Sequence, residues 1–498
     1  MRWLRTLVEP IPPENKRLLA ERWHELPSEL RTPSQAVGRH LTHCGYVLGP
    51  SYCSFGCTHC YLPKNANKAP LPSFDEMKRQ IDANRRLLGH AGNLQITGGD
   101  VVDAYLRAGE PEQLVNVVRY AVEVGLVPMV MTHGQGFLDH PDLLEELVRD
   151  AGLRKIALHV DLTQAGRPGF PRRDLTSEAD LHPLREAFVD LVLRVRRRTG
   201  KSLKAAHTVT VTADNLDSVG EILRWMLAEP RHLEAFSMLS LQPEADVGRT
   251  LRPGMANRHR TGPDEPRRAT PEDSWKEVCR ALGRDDLADG NLHFGDPACS
   301  RMTSLGVLYG AAGAAPRLLD ALPGDERSLE LRGRVAKVFG GVGGRGADRL
   351  DAALRRISLI VRHPLVLVDL ARYAHHALGQ QVGQQKVGWG ELMRGAVTGR
   401  LRSLNIVQHN FMSDEEVRAG GEEAERRLAA CSFRGAVERE DGWHAVPMCA
   451  VNSGEREQIY ARAIEGSLQP VEQIAHAPAA VGAADDEARA VVELESGL

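Results

Sequence analysis

No apolar run approaches the ~18 uninterrupted residues that a membrane-crossing helix needs, so nothing in the chain reads as a transmembrane segment. Charge of either sign is not in excess. Lys and Arg number 63 against 66 Asp and Glu, a net charge of −3. That removes any global attraction to nucleic acid or an anionic surface, though local basic patches stay open. The Met-Arg-Trp-Leu-Arg start is too short and polar for an export signal. These absences predict a cytoplasmic protein with no nucleic-acid partner. What is present is an ordinary soluble composition, 42% apolar and 26% charged, over 498 residues. A chain of that length holds two or three domains and a large core. Its eight cysteines, with no export signal, point to a reducing compartment and to metal ligation rather than disulfides.

Three of those cysteines are packed into one loop, Cys53-Ser54-Phe55-Gly56-Cys57-Thr58-His59-Cys60-Tyr61. Thiolates are soft ligands that select iron–sulfur clusters or zinc. Three local thiolates supply a 4Fe–4S cluster with three of its usual four ligands and leave one iron open. Zinc would need a fourth ligand from the chain, and His59 could provide it. Further on, Leu94-Gln95-Ile96-Thr97 reads as a buried strand that runs straight into Gly98-Gly99-Asp100. Glycines there permit close backbone approach to a ligand, and Asp100 could accept from an ammonium group.

Short apolar strands recur near 45–49, 93–97, 127–132, 155–160, 205–211 and 235–241, with amphipathic helices near 73–89, 111–125, 139–151, 181–199 and 214–228. Leu184, Phe188, Leu191 and Val195 show the helical spacing, with Arg194 and Arg196 to Arg198 on the wet side. The alternation predicts an α/β fold with a parallel sheet and right-handed crossovers. In parallel α/β sheets ligands bind at the carboxyl ends of the strands. Those ends are polar here: Thr132-His133-Gly134-Gln135-Gly136, then His159 and Asp161, then His207 to Thr212 with Asn215, then Ser240-Leu241-Gln242-Pro243-Glu244 reaching Gly248-Arg249. His159, Asp161 and Gln242 are the leading candidates to touch cofactor or substrate. Asp161 and Asn215 also suit helix caps.

The cysteine loop with its trailing Tyr61, followed by the Gly-Gly-Asp turn, resembles the radical S-adenosylmethionine (SAM) superfamily. The resemblance implies a partial (β/α)6 TIM-like barrel over residues 43–250, preceded by an arm at 1–42. A mostly helical C-terminal extension at 251–464 and a disordered tail at 465–498 would follow. In function it implies an oxidoreductase or transferase. A 4Fe–4S cluster on Cys53, Cys57 and Cys60 would cleave SAM reductively, and the resulting radical would take hydrogen from an unactivated carbon. Tyr61 would touch adenine, while Gly98, Gly99 and Asp100 would hold the methionine end. An electron donor such as flavodoxin or ferredoxin is implied as partner. The substrate stays open among small molecules, lipids and peptides, and no catalytic residue beyond the cofactor-binding set is assigned. No cobalamin-binding signature is evident in the arm.

After the barrel region, residues 252–272 mix Arg252, Arg258, His259, Arg260, Arg267 and Arg268 with prolines. The pattern is that of a charged surface loop, with a lid or anionic-substrate contact as the alternative. Ile357, Ile360, Val361, Leu365 and Val368 make an apolar stripe beside Arg355, Arg356 and Arg362. A core helix pair covering the barrel is the simplest reading, and a basic-rimmed face on a membrane surface is the other. Asn405-Ile406-Val407-Gln408-His409-Asn410-Phe411-Met412 reads as a strand ending in a turn. It precedes Cys431, a polar hairpin, and Pro447-Met448-Cys449 with Asn452. This stretch resembles the C-terminal extension of tetraether-lipid-synthase-type radical SAM proteins, although the cysteine loop lacks the proline of that group. With Cys299, which sits in a Pro-containing turn, Cys431 and Cys449 form a candidate auxiliary iron–sulfur site. Zinc is an option at the same ligands, and Cys279, Cys44 or a substrate atom could be the fourth ligand. Two alternatives stand beside this reading: a peptide- or cofactor-maturing radical SAM enzyme, and a non-catalytic zinc or iron–sulfur binding protein. The seven-residue cysteine spacing of the peptide-maturing group is absent.

Overall fold

The computed structural model describes residues 44–57, 59–88, 92–248, 269–284, 287, 290–310, 314–339, 349–384 and 387–468, with isolated positions between 17 and 33. Most of the expected arm, the Arg-rich stretch to Arg268, Arg249 and nearly all of the tail lie outside the described residues.

Six strands and five of the helices between them fall where the hydrophobic pattern put them, and the helix at 101–108 is one the pattern did not offer. The strands are β1 (Cys44–Leu48), β2 (Asn93–Thr97), β3 (Val127–Thr132), β4 (Lys155–His159), β5 (Lys204–Val211) and β6 (Phe236–Pro243). Between them run α1 (Phe74–Leu88), α2 (Val101–Ala108), α3 (Pro111–Glu123), α4 (Pro141–Arg149), α5 (His182–Thr199) and α6 (Val219–Ala228). Helix α5 illustrates the local logic. Leu184, Phe188, Leu191 and Val195 are buried on one face, and Gly200, at φ 64°, ends the helix in the left-handed conformation that glycine adopts freely.

The later chain carries many helices, and it also extends the same sheet. It supplies β7 (Ser300–Leu308), β8 (Arg317–Asp320), β9 (Leu401–His409), β10 (Phe433–Arg439) and β11 (Gly442–Pro447). The strand order is β11-β10-β1-β2-β3-β4-β5-β6-β9-β7-β8. β9 pairs parallel with β6, and β10 parallel with β1, so the last third of the chain clamps both edges of the six-strand centre.

The sheet is strongly curved. In a flat sheet β9 and β10, seven places apart in the order, would lie about 34 Å apart at ~4.8 Å per strand. Instead, the rings of His409, at the end of β9, and Phe433, at the start of β10, meet at 5.1 Å. Gly295 and Ala430 approach so closely that a Cβ on Gly295 would lie 2.3 Å from the Ala430 carbonyl oxygen.

Beyond β8 come α8 (Glu326–Phe339), α9 (Arg349–Arg362), α10 (Leu365–Gln384) and α11 (Trp389–Val397). The apolar stripe expected to pack as a core helix pair does not. Ile357, Val361, Leu365 and Val368 are exposed, because α10 reaches the interior through a different set, Val366, Ala377 and Gln381. No helix among the described residues is long and apolar enough to cross a membrane.

Candidate metal and cofactor site

The carboxyl ends of the parallel strands surround a cavity of about 160 Å³, lined by Cys53, Cys57 and Cys60 together with Tyr61, Gly98, Gly99, Asp100, His159 and Gln242. All eight cysteines are outside disulfides. The cysteine loop is held from three sides. Ser54 N–H donates to the Asp103 carboxylate at 2.7 Å, and Gly56 N–H to the Ala165 carbonyl at 2.9 Å. Phe55 lies flat on the His133 imidazole, with ring centroids 3.7 Å apart, and its ring also meets the Arg167 guanidinium at 5.0 Å. The thiols are poor acids in this setting. Burial, then the nearby Asp100, pushes Cys53 up to about 12. Burial and the neighbouring Cys60 raise Cys57. Buried thiols that oppose one another's ionisation fit a polyvalent cation, which reverses that electrostatic balance by deprotonating its ligands.

The Gly-Gly-Asp turn is built against the base of the cysteine loop. Gly99 N–H donates to Pro50 O, and Asp100 N–H to Tyr52 O, both at 2.8 Å. A Cβ on Gly98 would fall 2.1 Å from Pro50 O, and one on Gly99 2.0 Å from Tyr52 O, so only glycine fits. Tyr61 closes the other side, its hydroxyl donating to Gly98 O at 2.9 Å.

Asp100 lines the cavity but its carboxylate is committed to the protein. It accepts from Asp103 N–H at 2.8 Å, capping α2, and from Thr132 Oγ1 at 2.7 Å and His133 N–H at 2.5 Å. Three in-chain donors on a side chain this buried make it hold the turn, and they leave one of a carboxylate's roughly four acceptor sites toward the cavity it lines. Asp161 differs from expectation. It lies behind the wall, 1% exposed, and accepts from Thr163 N–H and Thr210 N–H while contacting His159 Nε2 at 2.6 Å. It orients His159, which does face the cavity. Burial alone would lower the His159 pKa, but the Asp161 carboxylate beside it gives a net rise. Asn215 is a buried loop tie, accepting from Thr212 N–H and donating to Glu178. Among the described residues, Cys53, Asp103 and His133 bring ligand atoms within 4.8 Å of one another. His59, the candidate fourth zinc ligand, places Nδ1 3.1 Å from Glu244.

Two arginines, one lining the cavity and one against the cysteine loop, went unnoticed in the sequence. Arg456 is 1% exposed and lies 4.9 Å over the Tyr61 ring. It donates to Asn452 Oδ1 and Tyr460 Oη, both neutral. Arg167 donates to His133 O and Gln164 Oε1. Neither arginine carries a local sequence signal.

The second thiol set is brought together where the sheet edges meet. Burial raises Cys299 to about 11, partly offset by a hydrogen bond with Arg427, while Cys431 adds to the rise. Burial, then Cys431, raises Cys449 to about 12, and Cys299 contributes further. Cys431 Sγ lies 3.0 Å from Phe433 O, and Cys449 Sγ accepts from Met412 N–H at 3.5 Å. Cys44 and Cys279 are buried, in β1 and in α7 (Pro271–Leu282, in the chain before β7), respectively.

No family model matches the sequence, and no curated protein matches it. Among solved structures, SuiB of Streptococcus suis aligns with 49% of this chain and 47% of its own, at 11% identity and a TM-score of 0.31. The aligned part is thus about half of either chain, and a likeness of that size carries no argument.

Proposed function

We propose that this chain is a radical SAM enzyme, with a 4Fe–4S cluster on Cys53, Cys57 and Cys60 and SAM on the open iron. The observation that carries the reading is the convergence of those thiols and the glycine-only turn on one cavity at the strand ends. The curved parallel sheet, read as a partial (β/α)6 barrel whose edges the later chain closes, agrees with it. When bound, the cluster and SAM supply one-electron, hydrogen-abstracting chemistry. The chain's own residues then have separate tasks. The thiols bind, Gly98 and Gly99 bring their backbone close, and Tyr61 and Gln242 bound the adenosine side. His159, held by Asp161, presents a polar ring, and Arg456 gives the wall a fixed positive charge. Met448 and Phe411 make the far side apolar, which excludes water. Cys299, Cys431 and Cys449, beside Arg427, are read as an auxiliary metal site. The substrate class remains small molecule, lipid or peptide.

A second reading rests on Cys53, Asp103 and His133: a mononuclear zinc site in a protein that does not cleave SAM. One experiment separates the two. After anaerobic reconstitution, iron, sulfide and zinc are measured, together with 5′-deoxyadenosine release under dithionite. The radical SAM reading expects iron and sulfide in near-equal amounts, and no release from Cys57→Ala. Release at the parent rate from Cys57→Ala, or zinc without sulfide in the parent, would sink it.

A further inference from the structure

Every large hydrophobic side chain that is exposed among the described residues lies between positions 354 and 397. The segment is organised, not random. On α9, Leu354, Ile357 and Val361 recur at helical spacing, and on α11 so do Trp389, Met393 and Val397. Val361, Leu365 and Val397 are 73%, 74% and 85% exposed. These helices face inward with other residues: Leu359 on α9, and Leu392 and Gly395 on α11, are buried. Apolar exposure of this extent, confined to one stretch of the chain, marks an interaction surface.

Charge identifies what would cover it. Residues 349–400 hold eight Lys or Arg and three Asp or Glu, a net +5 in a chain whose total is −3. Two of the three acids are already paired with arginines outside the segment, Asp369 with Arg334 at 3.5 Å and Glu391 with Arg317. Arg362, Arg372 and Arg394 are exposed, with no carboxylate at ion-pair distance among the described residues. A second copy docked face to face would set +5 against +5. An anionic lipid surface matches both the apolar stripes and the cations around them.

We infer that α9, α10 and α11 form a docking face for an anionic membrane surface, resting the protein on the bilayer without crossing it. The inference does not depend on the reading of the cysteine cavity. It is tested by sedimenting the full chain with vesicles of phosphatidylcholine alone and of equimolar phosphatidylcholine and phosphatidylglycerol, at low and high salt. Binding is expected on the anionic vesicles only, weakening as salt rises. Each interfacial cation is worth roughly fivefold in partition. Arg362→Gln, Arg372→Gln and Arg394→Gln together should therefore lower binding on the order of a hundredfold, with unchanged circular dichroism. Val361→Ser with Val397→Ser should also lower it. Equal binding to both vesicle types, no binding of the folded parent at low salt, or undiminished binding of the triple Gln variant would overturn the inference. So would a dimer that dissociates in the Ser variant while vesicles bind nothing.

Discussion

Replacing Asp100 with Ala tests how the Gly-Gly-Asp turn works. The carboxylate makes three hydrogen bonds inside the protein and is 2% exposed. Removing it deletes the cap of α2, at about 1 kcal/mol. It also strands the Thr132 hydroxyl and the His133 N–H, and a buried donor left unpaired costs about 1–3 kcal/mol. Thr132 Oγ1 already accepts from Gly134 N–H at 2.8 Å, so its loss falls at the low end. The sum is about 3–5 kcal/mol, a large part of the stability of an ordinary domain. Asp100→Asn should cost less, about 1–2 kcal/mol, since its carbonyl can keep the cap while the amide faces one donor that cannot turn. Urea unfolding followed by circular dichroism measures both. A residue that served only to bind an ammonium ligand would leave unfolding untouched. If the Ala variant unfolds within 0.5 kcal/mol of the parent, a margin normal for inert surface changes, the positioning role is refuted.

Gly99→Ala places a Cβ 2.0 Å from Tyr52 O and 2.4 Å from Ser51 O, so the cysteine loop must shift. Metal retained after reconstitution should fall severalfold, whereas Gly56→Ala, with nothing within 4 Å, should match the parent. Arg185→Met leaves the Glu178 carboxylate, fully buried beside it, without its cation, and should destabilise by about 3–5 kcal/mol in urea unfolding. Burial would raise the Asp325 carboxyl, but hydrogen bonds from Ser328 and the His376 contact outweigh it and hold the group at about 2. A depressed carboxyl stabilises fully above its unfolded value of 3.8 and loses that contribution as pH falls through about 2. Asp325→Asn should flatten the fall of melting temperature over that window; an unchanged acid limb would show that the pair contributes nothing.

The six central strands and five of their helices were legible because buried parallel strands read as apolar runs and the crossover helices as amphipathic ones. β9 and the hairpin of β10 and β11 also left a trace, as a strand ending His409-Asn410-Phe411-Met412 and a polar hairpin before Pro447. β7 and β8 did not. Ser300–Leu308 alternates polar and apolar residues weakly, and it becomes a strand by pairing with β9 across a long separation. The stripe at 357–368 misled for a related reason. Helical spacing reports that one face is apolar, not that protein covers it. Site residues followed the same division. The thiols and glycines lie in local motifs, whereas Arg167, Arg427 and Arg456 gain their positions only through tertiary closure.

That closure links the two thiol sets through one short turn. Met448 and Asn452 line the first cavity with Arg456, while Cys449, between them, belongs to the second set. The chain turns sharply inside this segment, where Gly454 takes φ 146°, a conformation open mainly to glycine. Helix α12 (Arg456–Leu468) then carries Arg456 over Tyr61 and Tyr460 against Leu62. A guanidinium this buried, bonded only to neutral groups, is costly on its own. Its nearest chargeable partners include Tyr61 and Cys60, so negative charge on the Cys60 side would offset that cost. The turn at 448–456 is therefore a segment that both thiol sets share: it carries Cys449, and its Asn452 Oδ1 accepts from Arg456 above the Tyr61 ring.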